Sequence, residues 1–298
     1  MKISLRQLQV FIAISKSGST VAAADLVALS QSAASASLNE LESLLGIELF
    51  DRVGKKLLLN QNGQQLLPQA MEMIDLEKTI ENQFSLNDQP SKVVLRIGAS
   101  TTIGNYILPS LLSEYSKTKS ILPKVDIANT AAISTAVANF EIDFGLIEGP
   151  CHESELIVEK WFEDELIIVS SRQHPLAIKN LKVKITGHDL SQTGWLLREA
   201  RSGTREAVDQ LLIKHIHYLQ SAGEFSNSEA IKHSAAENIG IACLSRSVVT
   251  DLLKIGKLVE LTTTLPPLKR NLYIIQNKRK KMPHWSQGFL EHCRNSKK

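Results

Sequence analysis

Long apolar runs, cysteines and a strong excess of one charge are all scarce in this chain of 298 residues. No apolar run approaches the roughly 18 to 20 residues that span a bilayer, and the first residues lack the apolar core of a signal peptide. The three cysteines are far apart in the sequence, so we expect neither a disulfide framework nor a metal site. We therefore expect a cytoplasmic protein that binds no membrane.

Catalytic signatures are missing as well. The sequence contains no phosphate-binding glycine loop, no His-x-x-x-His pattern and no nucleophile elbow. Cys151 and His152 are adjacent, but neighbours in sequence seldom direct their side chains at each other productively. We therefore expect neither an enzyme nor a bound cofactor.

Charge is unevenly distributed, although the net charge is only +3. Residues 269–298 contain nine lysines and arginines against one acid, whereas residues 1–59 contain six basic and five acidic residues. A basic tail can bind nucleic acid, but a run of like charges is more often a solvated segment. We interpret this terminus as solvated and partly disordered. Any DNA affinity should then depend on the local placement of cations and on oligomerisation.

The first 45 residues predict three helices, over Ser4–Ser17, Thr20–Leu26 and Ser30–Leu45. Hydroxyl residues suited to N-capping begin the second and third helices, and glycines follow the first and third. Only three residues separate the second helix from the third, a spacing typical of a helix-turn-helix. The third helix has a small polar face that can approach DNA bases closely, formed by Gln31, Ser32, Ser35 and Ala36.

A short hairpin is predicted over residues 49–59, with Arg52, Lys55 and Lys56 at its tip. Cations there are well placed to contact phosphates beside a groove. Taken alone, the third helix fits an amphipathic core helix as well as a DNA-reading helix, and a solvated turn would explain the two lysines. The helices and hairpin together favour a winged helix-turn-helix domain over residues 1–59, with double-stranded DNA as its partner.

Residues 60–88 predict one long helix. Its apolar residues follow a four-three spacing, at Leu66, Ala70, Met73, Ile80 and Phe84. An exposed stripe of this length favours a partner helix, so we interpret residues 60–89 as a dimerising linker; packing on its own domain is the alternative. Residues 87–91 break the pattern and predict a hinge.

Beyond Pro90, buried strands alternate with helices, the pattern of a doubly wound α/β structure. The predicted elements include a helix through Leu111 and Leu112 and a strand over residues 166–170. We expect residues 90–298 to form a two-lobed effector-binding domain like that of periplasmic binding proteins. Lobe I should hold about residues 92–161 and 268–298, and lobe II about residues 162–267.

Ligands of such folds bind at the carboxyl ends of strands, against helix amino termini, where free N–H groups favour an anion. For any single hydroxyl residue N-capping is the simpler explanation, but several converging on one cleft favour ligand contact. The predicted effector-binding residues are Ser100, Thr101, Thr102, Glu148, Gly149, Pro150, Cys151, Arg198, Ser202, Thr204, Asn227, Ser228 and Glu229.

Several different short motifs lie along the whole chain. They include Leu5-Arg6-Gln7-Leu8, Leu29-Ser30-Gln31-Ser32-Ala33, Leu49-Phe50-Asp51-Arg52, Ser202-Gly203-Thr204-Arg205 and Gly240-Ile241. These motifs resemble those of the LysR-type transcriptional regulators, although Ala36 stands where many members have arginine. The resemblance implies a DNA-binding regulator that forms homodimers or homotetramers, responds to a small-molecule effector and contacts RNA polymerase.

Four further segments, residues 103–109, 147–152, 163–166 and 227–233, are similar to the YeiE subgroup of this family. That resemblance implies a tetramer whose effector is a small oxyanion such as sulfite. The helix-start hydroxyls are compatible with an anion, whereas Glu148 would repel it unless protonated or paired with a cation. A thiol-based redox regulator that uses Cys151 is the alternative.

Replacing Gln31 and Ser35 by alanine should remove two base contacts, each worth about 1 to 3 kcal/mol of discrimination between DNA sequences. The test compares binding of the variant and the unsubstituted chain to operator and scrambled duplexes. Operator preference that survives both substitutions would show that another surface reads the bases.

Overall fold

The computed structural model describes residues 2–54, 56–84, 93–119, 121–280, 282 and 284–296. They form two compact units: the described residues up to 84, with 279, 280 and 282, belong to one, and those within 93–278 and 284–296 belong to the other. The predicted hinge, the last residues of the predicted linker helix and Lys55 lie outside the described residues.

Three helices and a hairpin open the first unit. The helices are α1 (Leu5–Ser17), α2 (Thr20–Leu26) and α3 (Gln31–Leu45), and the antiparallel hairpin joins β1 (Phe50–Val53) to β2 (Lys56–Leu59). The hydroxyls of Ser4, Ser19 and Ser30 accept hydrogen bonds from first-turn N–H groups. Gly18 and Gly46 adopt the left-handed conformation that ends α1 and α3. The predicted winged helix-turn-helix is confirmed.

Within the described part of the chain, no single helix has both the length and the apolarity of a bilayer span. The pair α2 and α3 meets both criteria jointly, although the chain bends by 104° between them. On this pair Ala23, Ala34 and Leu38 are buried inside the first unit.

The linker helix, α4 (Gln61–Phe84), has two apolar faces. Ala70 and Met71 are buried where α4 contacts α1 and β2. Met73, Leu76 and Ile80 are 48%, 59% and 51% exposed and follow a three-four spacing. The predicted exposed stripe is therefore wrong at Ala70, because the helix turns that residue toward its own unit, but an apolar stripe remains uncovered.

The described part of the second unit is an α/β structure. Its strands are β3 (Val93–Ser100), β4 (Ile121–Ala128), β5 (Phe144–Glu148), β6 (Leu156–Ser171), β7 (Trp195–Arg198), β8 (Ser221–Phe225), β9 (Ala242–Ser245), β10 (Leu258–Glu260) and β11 (Leu268–Asn277). Its helices are α5 (Thr101–Tyr106), α6 (Leu108–Ser116), α7 (Thr130–Ala138), α8 (Pro175–Asn180), α9 (Gly187–Ser191), α10 (Gly203–Ile216), α11 (Ser228–Ala236), α12 (Arg246–Lys254) and α13 (His284–Asn295).

Two lobes share the long antiparallel strands β6 and β11. The main sheet has the order β10-β6-β11-β5-β3-β4, with β9 also paired to β6. Lobe I contains β3 to β5 with α5 to α7 and α13, and lobe II contains β7 to β10 with α8 to α12. Because β3 runs parallel to both β4 and β5, the ends of β3 and β5 meet at one edge and place their following residues together.

In lobe II, successive strand residues enter two different cores, one on each face of the sheet. In β6, Leu166 and Ile168 belong to one core, whereas Ile167 and Val169 belong to the other. β7 and β9 alternate in the same way. Strands buried on both faces read as continuous apolar runs, which is why this region was predictable as buried sheet.

Two predicted elements differ from the structure. The helix through Leu111 and Leu112 is split into α5 and α6, because Pro109 has no N–H group to continue a helix and lies in the first turn of α6. The strand expected over residues 166–170 is the second half of β6, which begins at Leu156. The two-lobed α/β fold itself is confirmed, and the exact lobe boundaries stay predictions.

Replacing Leu212 by alanine should cost about 2 to 5 kcal/mol of unfolding free energy, because the side chain lies in a lobe II core with none of its surface exposed. Leu181→Ala is the matched control in the same lobe, since Leu181 is 84% exposed and should change stability by less than about 0.5 kcal/mol. Equal losses of unfolding free energy in the two variants, measured by unfolding in urea, would contradict this assignment of the core.

Candidate functional site

The polar face of α3 points outward. Gln31, Ser32 and Ala36 are exposed and Ser35 is half-buried, whereas Ala34 on the opposite face is buried. This face therefore has the small, uncovered surface that contact with DNA bases requires. Its residues stay predicted base contacts.

The surroundings of α3 add one residue that sequence reasoning missed. Arg52 and Lys56 are exposed on the hairpin, while Lys55 lies outside the described residues. Arg6 donates a hydrogen bond from Nη2 to the carbonyl oxygen of Val27, in the turn where Ala28 takes a left-handed conformation with φ of 52°. Arg6 thus braces the turn that sets the approach of α3.

In the second unit, strand ends meet at the buried carboxylate of Glu148. Its Oε1 accepts a hydrogen bond from the Thr102 backbone N–H at 2.8 Å, and its Oε2 accepts one from the Thr204 hydroxyl. Arg270 Nη1 lies 2.8 Å from the same Oε2. Thr102 lies in the first turn of α5 in lobe I and Thr204 in the first turn of α10 in lobe II, so Glu148 joins the two lobes.

Glu148 is ionised at neutral pH. Burial alone would raise its pKa, but the Arg270 guanidinium and the surrounding hydroxyl and amide donors outweigh burial and lower the pKa from 4.5 to about 2. Of the two conditions under which Glu148 would tolerate an anion, pairing with a cation is therefore the one that the structure meets.

Arg270 lies at the centre of this cluster. Its Nε donates to Asp164 Oδ2 at 2.8 Å, and its Nη1 donates to Glu148 and, at 2.9 Å, to the Thr204 hydroxyl. The carboxylates hold the pKa of Arg270 above its usual value against the opposing effect of burial. Because β11 belongs to both lobes, one buried guanidinium fixes groups from each of them.

The interpretation of residues 269–298 as a solvated, partly disordered terminus is wrong for the described part. These residues complete β11 and form α13. In β11 the alternation of faces puts Lys269 outside, paired with Glu163, and Arg270 inside. Lys269 and Arg270 are thus paired within the fold, and Arg270 belongs to the cleft.

A second buried guanidinium, that of Arg198, also links the lobes. Its Nη1 donates to the Thr101 hydroxyl at 2.9 Å and to the Ser228 hydroxyl at 3.1 Å. Its Nε and Nη2 donate to the two carboxylate oxygens of Glu199, and Nη2 also donates to the Ser226 carbonyl. These bonds use all five N–H donors of the guanidinium, so Arg198 binds protein groups in this structure.

The lobes also approach through their backbones. Gly149 has φ of 73°, and a Cβ on Gly203 would lie 1.7 Å from the carbonyl oxygen of Glu148. The same carbonyl accepts a hydrogen bond from the Thr130 hydroxyl at 2.8 Å. Only glycine fits at position 203 in this contact.

The other predicted cleft residues have different surroundings. Ser100 is buried, and its Oγ makes no hydrogen bond of normal geometry to a described residue, although it lies close enough to the Glu148 carboxylate to help lower the pKa of that group. Ser202 precedes α10 without a side-chain cap, whereas Asn227 caps α11. Glu229 accepts a hydrogen bond from the Tyr106 hydroxyl and belongs to a separate cluster of charged side chains.

Pro150 and Cys151 are half-buried at the end of β5, and Cys151 Sγ lies 3.6 Å from Ser134 Oγ. Cys243 and Cys293 are buried, and burial raises the pKa of each thiol to about 12. In the described part of the chain no three His, Cys, Asp or Glu side chains are grouped so as to hold a metal ion.

Sequence reasoning missed Arg270, Glu199 and Asn129. Asn129 Nδ2 donates to Glu199 Oε1 at 3.2 Å across the cleft. Asn129 lies 70 positions from Glu199, and Arg270 lies 122 positions from Glu148, so no local spacing connects these pairs. The one available signal was the alternation of apolar residues around Arg270 in β11.

Comparison with known proteins gives matches in both units. Residues 5–64 match the helix-turn-helix of bacterial regulatory proteins of the lysR family, and residues 88–298 match the LysR substrate binding domain. The chain is 44% identical over 294 residues to the uncharacterized HTH-type transcriptional regulator YeiE of Escherichia coli (strain K12), covering 98% of each chain.

Two solved structures have the same fold. A full-length OxyR variant from Pseudomonas aeruginosa superposes with a TM-score of 0.72 at 20% identity, covering 99% of this chain and 96% of that one. The CcmR regulatory domain of Synechocystis PCC6803, in complex with 2-PG, gives a TM-score of 0.61 at 28% identity, covering 68% and 96%.

Replacing Glu148 by glutamine should cost about 3 to 5 kcal/mol of unfolding free energy, because Arg270 is left buried with one charged partner fewer. The folded pKa of about 2 lies below the usual 4.5. Glu148 therefore contributes stability above pH 4.5 that is lost as the pH falls toward 2. The free energy of unfolding, measured in urea between about pH 7 and pH 2, should fall less with acid in the variant than in the unsubstituted chain.

Glu163→Gln is the control, since Glu163 and Lys269 form an exposed pair that solvent screens and that contributes little to stability. The interlobe role of Glu148 would be contradicted if the two variants lost similar unfolding free energy. It would also be contradicted if the unfolding free energy of Glu148→Gln fell with acid as steeply as that of the unsubstituted chain.

Proposed function

The chain belongs to the LysR family of transcriptional regulators, and we propose that it binds specific promoter DNA and changes its DNA contacts when a small anion binds between the lobes. The observation that carries the DNA part is the uncovered polar face of α3, whose helix start is capped and whose turn is braced by Arg6. We propose Gln31, Ser32, Ser35 and Ala36 as base-facing residues.

The wing supplies the phosphate contacts of the proposed complex. Arg52 and Lys56 are exposed on the hairpin, and we propose that they and Lys55 grip phosphates beside the groove. Such contacts add affinity for all sequences and make it salt-dependent. DNA as the partner implies the cytoplasm as the place of action.

For the effector we propose a small oxyanion, with sulfite as the first candidate. Glu148 is paired with Arg270, so the cleft does not repel an anion through an uncompensated carboxylate. Ser100 Oγ is buried beside the Glu148 carboxylate and makes no hydrogen bond of normal geometry to a described residue, and we propose that this hydroxyl turns to the bound ligand. The remaining predicted cleft residues are proposed to surround it, as the fold relative CcmR holds 2-PG in this domain.

We propose that the chain assembles as a dimer through α4 and further into a tetramer. Met73, Leu76 and Ile80 form an exposed apolar stripe at the three-four spacing that a partner helix covers in a coiled coil. Residues 1–59, 60–89 and 90–298 would then serve as DNA-binding domain, linker and effector domain. Closure of the lobes would alter subunit geometry and, with it, the contact with RNA polymerase.

Oxidation of Cys151 is the alternative signal. Its thiol contacts the Ser134 hydroxyl, and the other two thiols are buried with pKa values of about 12. Such pKa values make Cys243 and Cys293 unreactive, so Cys151 is the thiol that this alternative requires. A Cys151→Ser chain that no longer responds to peroxide, while the unsubstituted chain does, would support this alternative.

The proposed function is tested by mixing the purified full-length chain with fragmented genomic DNA, with and without sulfite, and sequencing the bound fragments. We expect enrichment of a small set of promoter fragments, and a redistribution among them when sulfite is added. Ser100→Ala should abolish the redistribution and leave the enrichment unchanged. Uniform recovery of all fragments would contradict sequence-specific binding, whereas enrichment that ignores sulfite would contradict only the effector.

A further inference from the structure

A second charged cluster joins the lobes at the far end of α5. The Lys232 side chain is 3% exposed, and its Nζ lies 3.0 Å from Tyr106 Oη, 2.9 Å from Glu229 Oε2 and 3.1 Å from Asp251 Oδ2. An ammonium group has three donors, and each faces one of these oxygens. Glu229 and Asp251 belong to lobe II, whereas Tyr106 is the last residue of α5 in lobe I.

The Tyr106 side chain is held by lobe II in two ways. Its ring packs against the lobe II core that contains Ile231 and Leu252. Its hydroxyl donates a hydrogen bond to Glu229 and accepts one from Lys232. Separation of the lobes would expose the ring to water and remove one acceptor from a buried cation, and both changes are unfavourable.

α5 connects this cluster to the cleft. The helix has only six residues, about 9 Å at 1.5 Å per residue. Its first residue, Thr101, accepts a hydrogen bond from Arg198, and the N–H of Thr102 donates to Glu148. A displacement of these residues by a ligand is therefore transmitted along one short helix to Tyr106.

We propose that Tyr106 is a positioning residue: it holds lobe II against lobe I and couples the contents of the cleft to lobe closure. The coupling to a ligand rests on the proposed function, but the closure is a property of the chain without ligand or DNA. Loss of the Tyr106 hydroxyl should shift the chain toward open lobes, and the groups that join the lobes elsewhere should then become accessible.

Hydrogen exchange of the ligand-free, full-length chain tests this inference. Tyr106→Phe keeps the ring and removes the hydroxyl, so we expect amide exchange about two- to tenfold faster, the factor that one hydrogen bond represents. The informative segment is residues 198–206, which contact lobe I through Arg198 and Thr204 and lie far from Tyr106 in the sequence. A merely local role would not change exchange there.

Two control variants separate closure from local loosening. Asp251→Asn removes one negative charge beside Lys232 inside lobe II and keeps the contact between Lys232 and Tyr106. The amide exchange of residues 198–206 should therefore stay slow. Tyr273→Phe removes the hydroxyl of a half-buried tyrosine on β11 that packs against a lobe I core, and should leave the exchange of residues 198–206 unchanged. Faster exchange confined to α5 and α11 in Tyr106→Phe, or equal effects in Asp251→Asn, would overturn the proposal.

Discussion

The arrangement of the effector domain depends on one buried ion pair, between Glu148 and Arg270. A charge removed from water must be paired and hydrogen-bonded, and here each partner meets that requirement with groups from both lobes. Glu148 ends β5 in lobe I, Thr204 lies in the first turn of α10 in lobe II, and Arg270 lies on the strand that both lobes share. The relative position of the lobes therefore determines whether these charges are satisfied.

Buried ion pairs of this kind contribute more to the selection of one arrangement than to stability. In this chain the pair is accompanied by Arg198 with Thr101 and by Lys232 with Tyr106, each joining the lobes at a different point of α5. Three polar contacts along one short helix hold the two lobes together around the cleft. The DNA-binding unit has no comparable polar core among its described residues, since its packing rests on apolar residues such as Phe11 and Leu41.

Much of the fold could be predicted from the sequence, because its signals are local. The limits of α3 follow from the Ser30 cap and Gly46, and β5 follows from a continuous apolar run. The cleft was predictable only in part: residues at strand ends, such as Thr102 and Glu148, follow from the strand positions. Arg270 was not found, because its partners are distant in sequence and a count of charges in the terminus concealed the alternation of Leu268, Arg270 and Leu272.

The central claim is that Glu148 and Arg270 act as one interlobe unit, and a double-mutant cycle measures this most directly. Unfolding free energies of Glu148→Gln, Arg270→Gln and the double variant give the coupling between the two side chains. We expect a coupling of about 1 to 3 kcal/mol, the upper part of the range for residues in contact. If the losses of the two single variants add up to the loss of the double variant within about 0.5 kcal/mol, the two side chains act independently. That result would contradict this account of the effector domain.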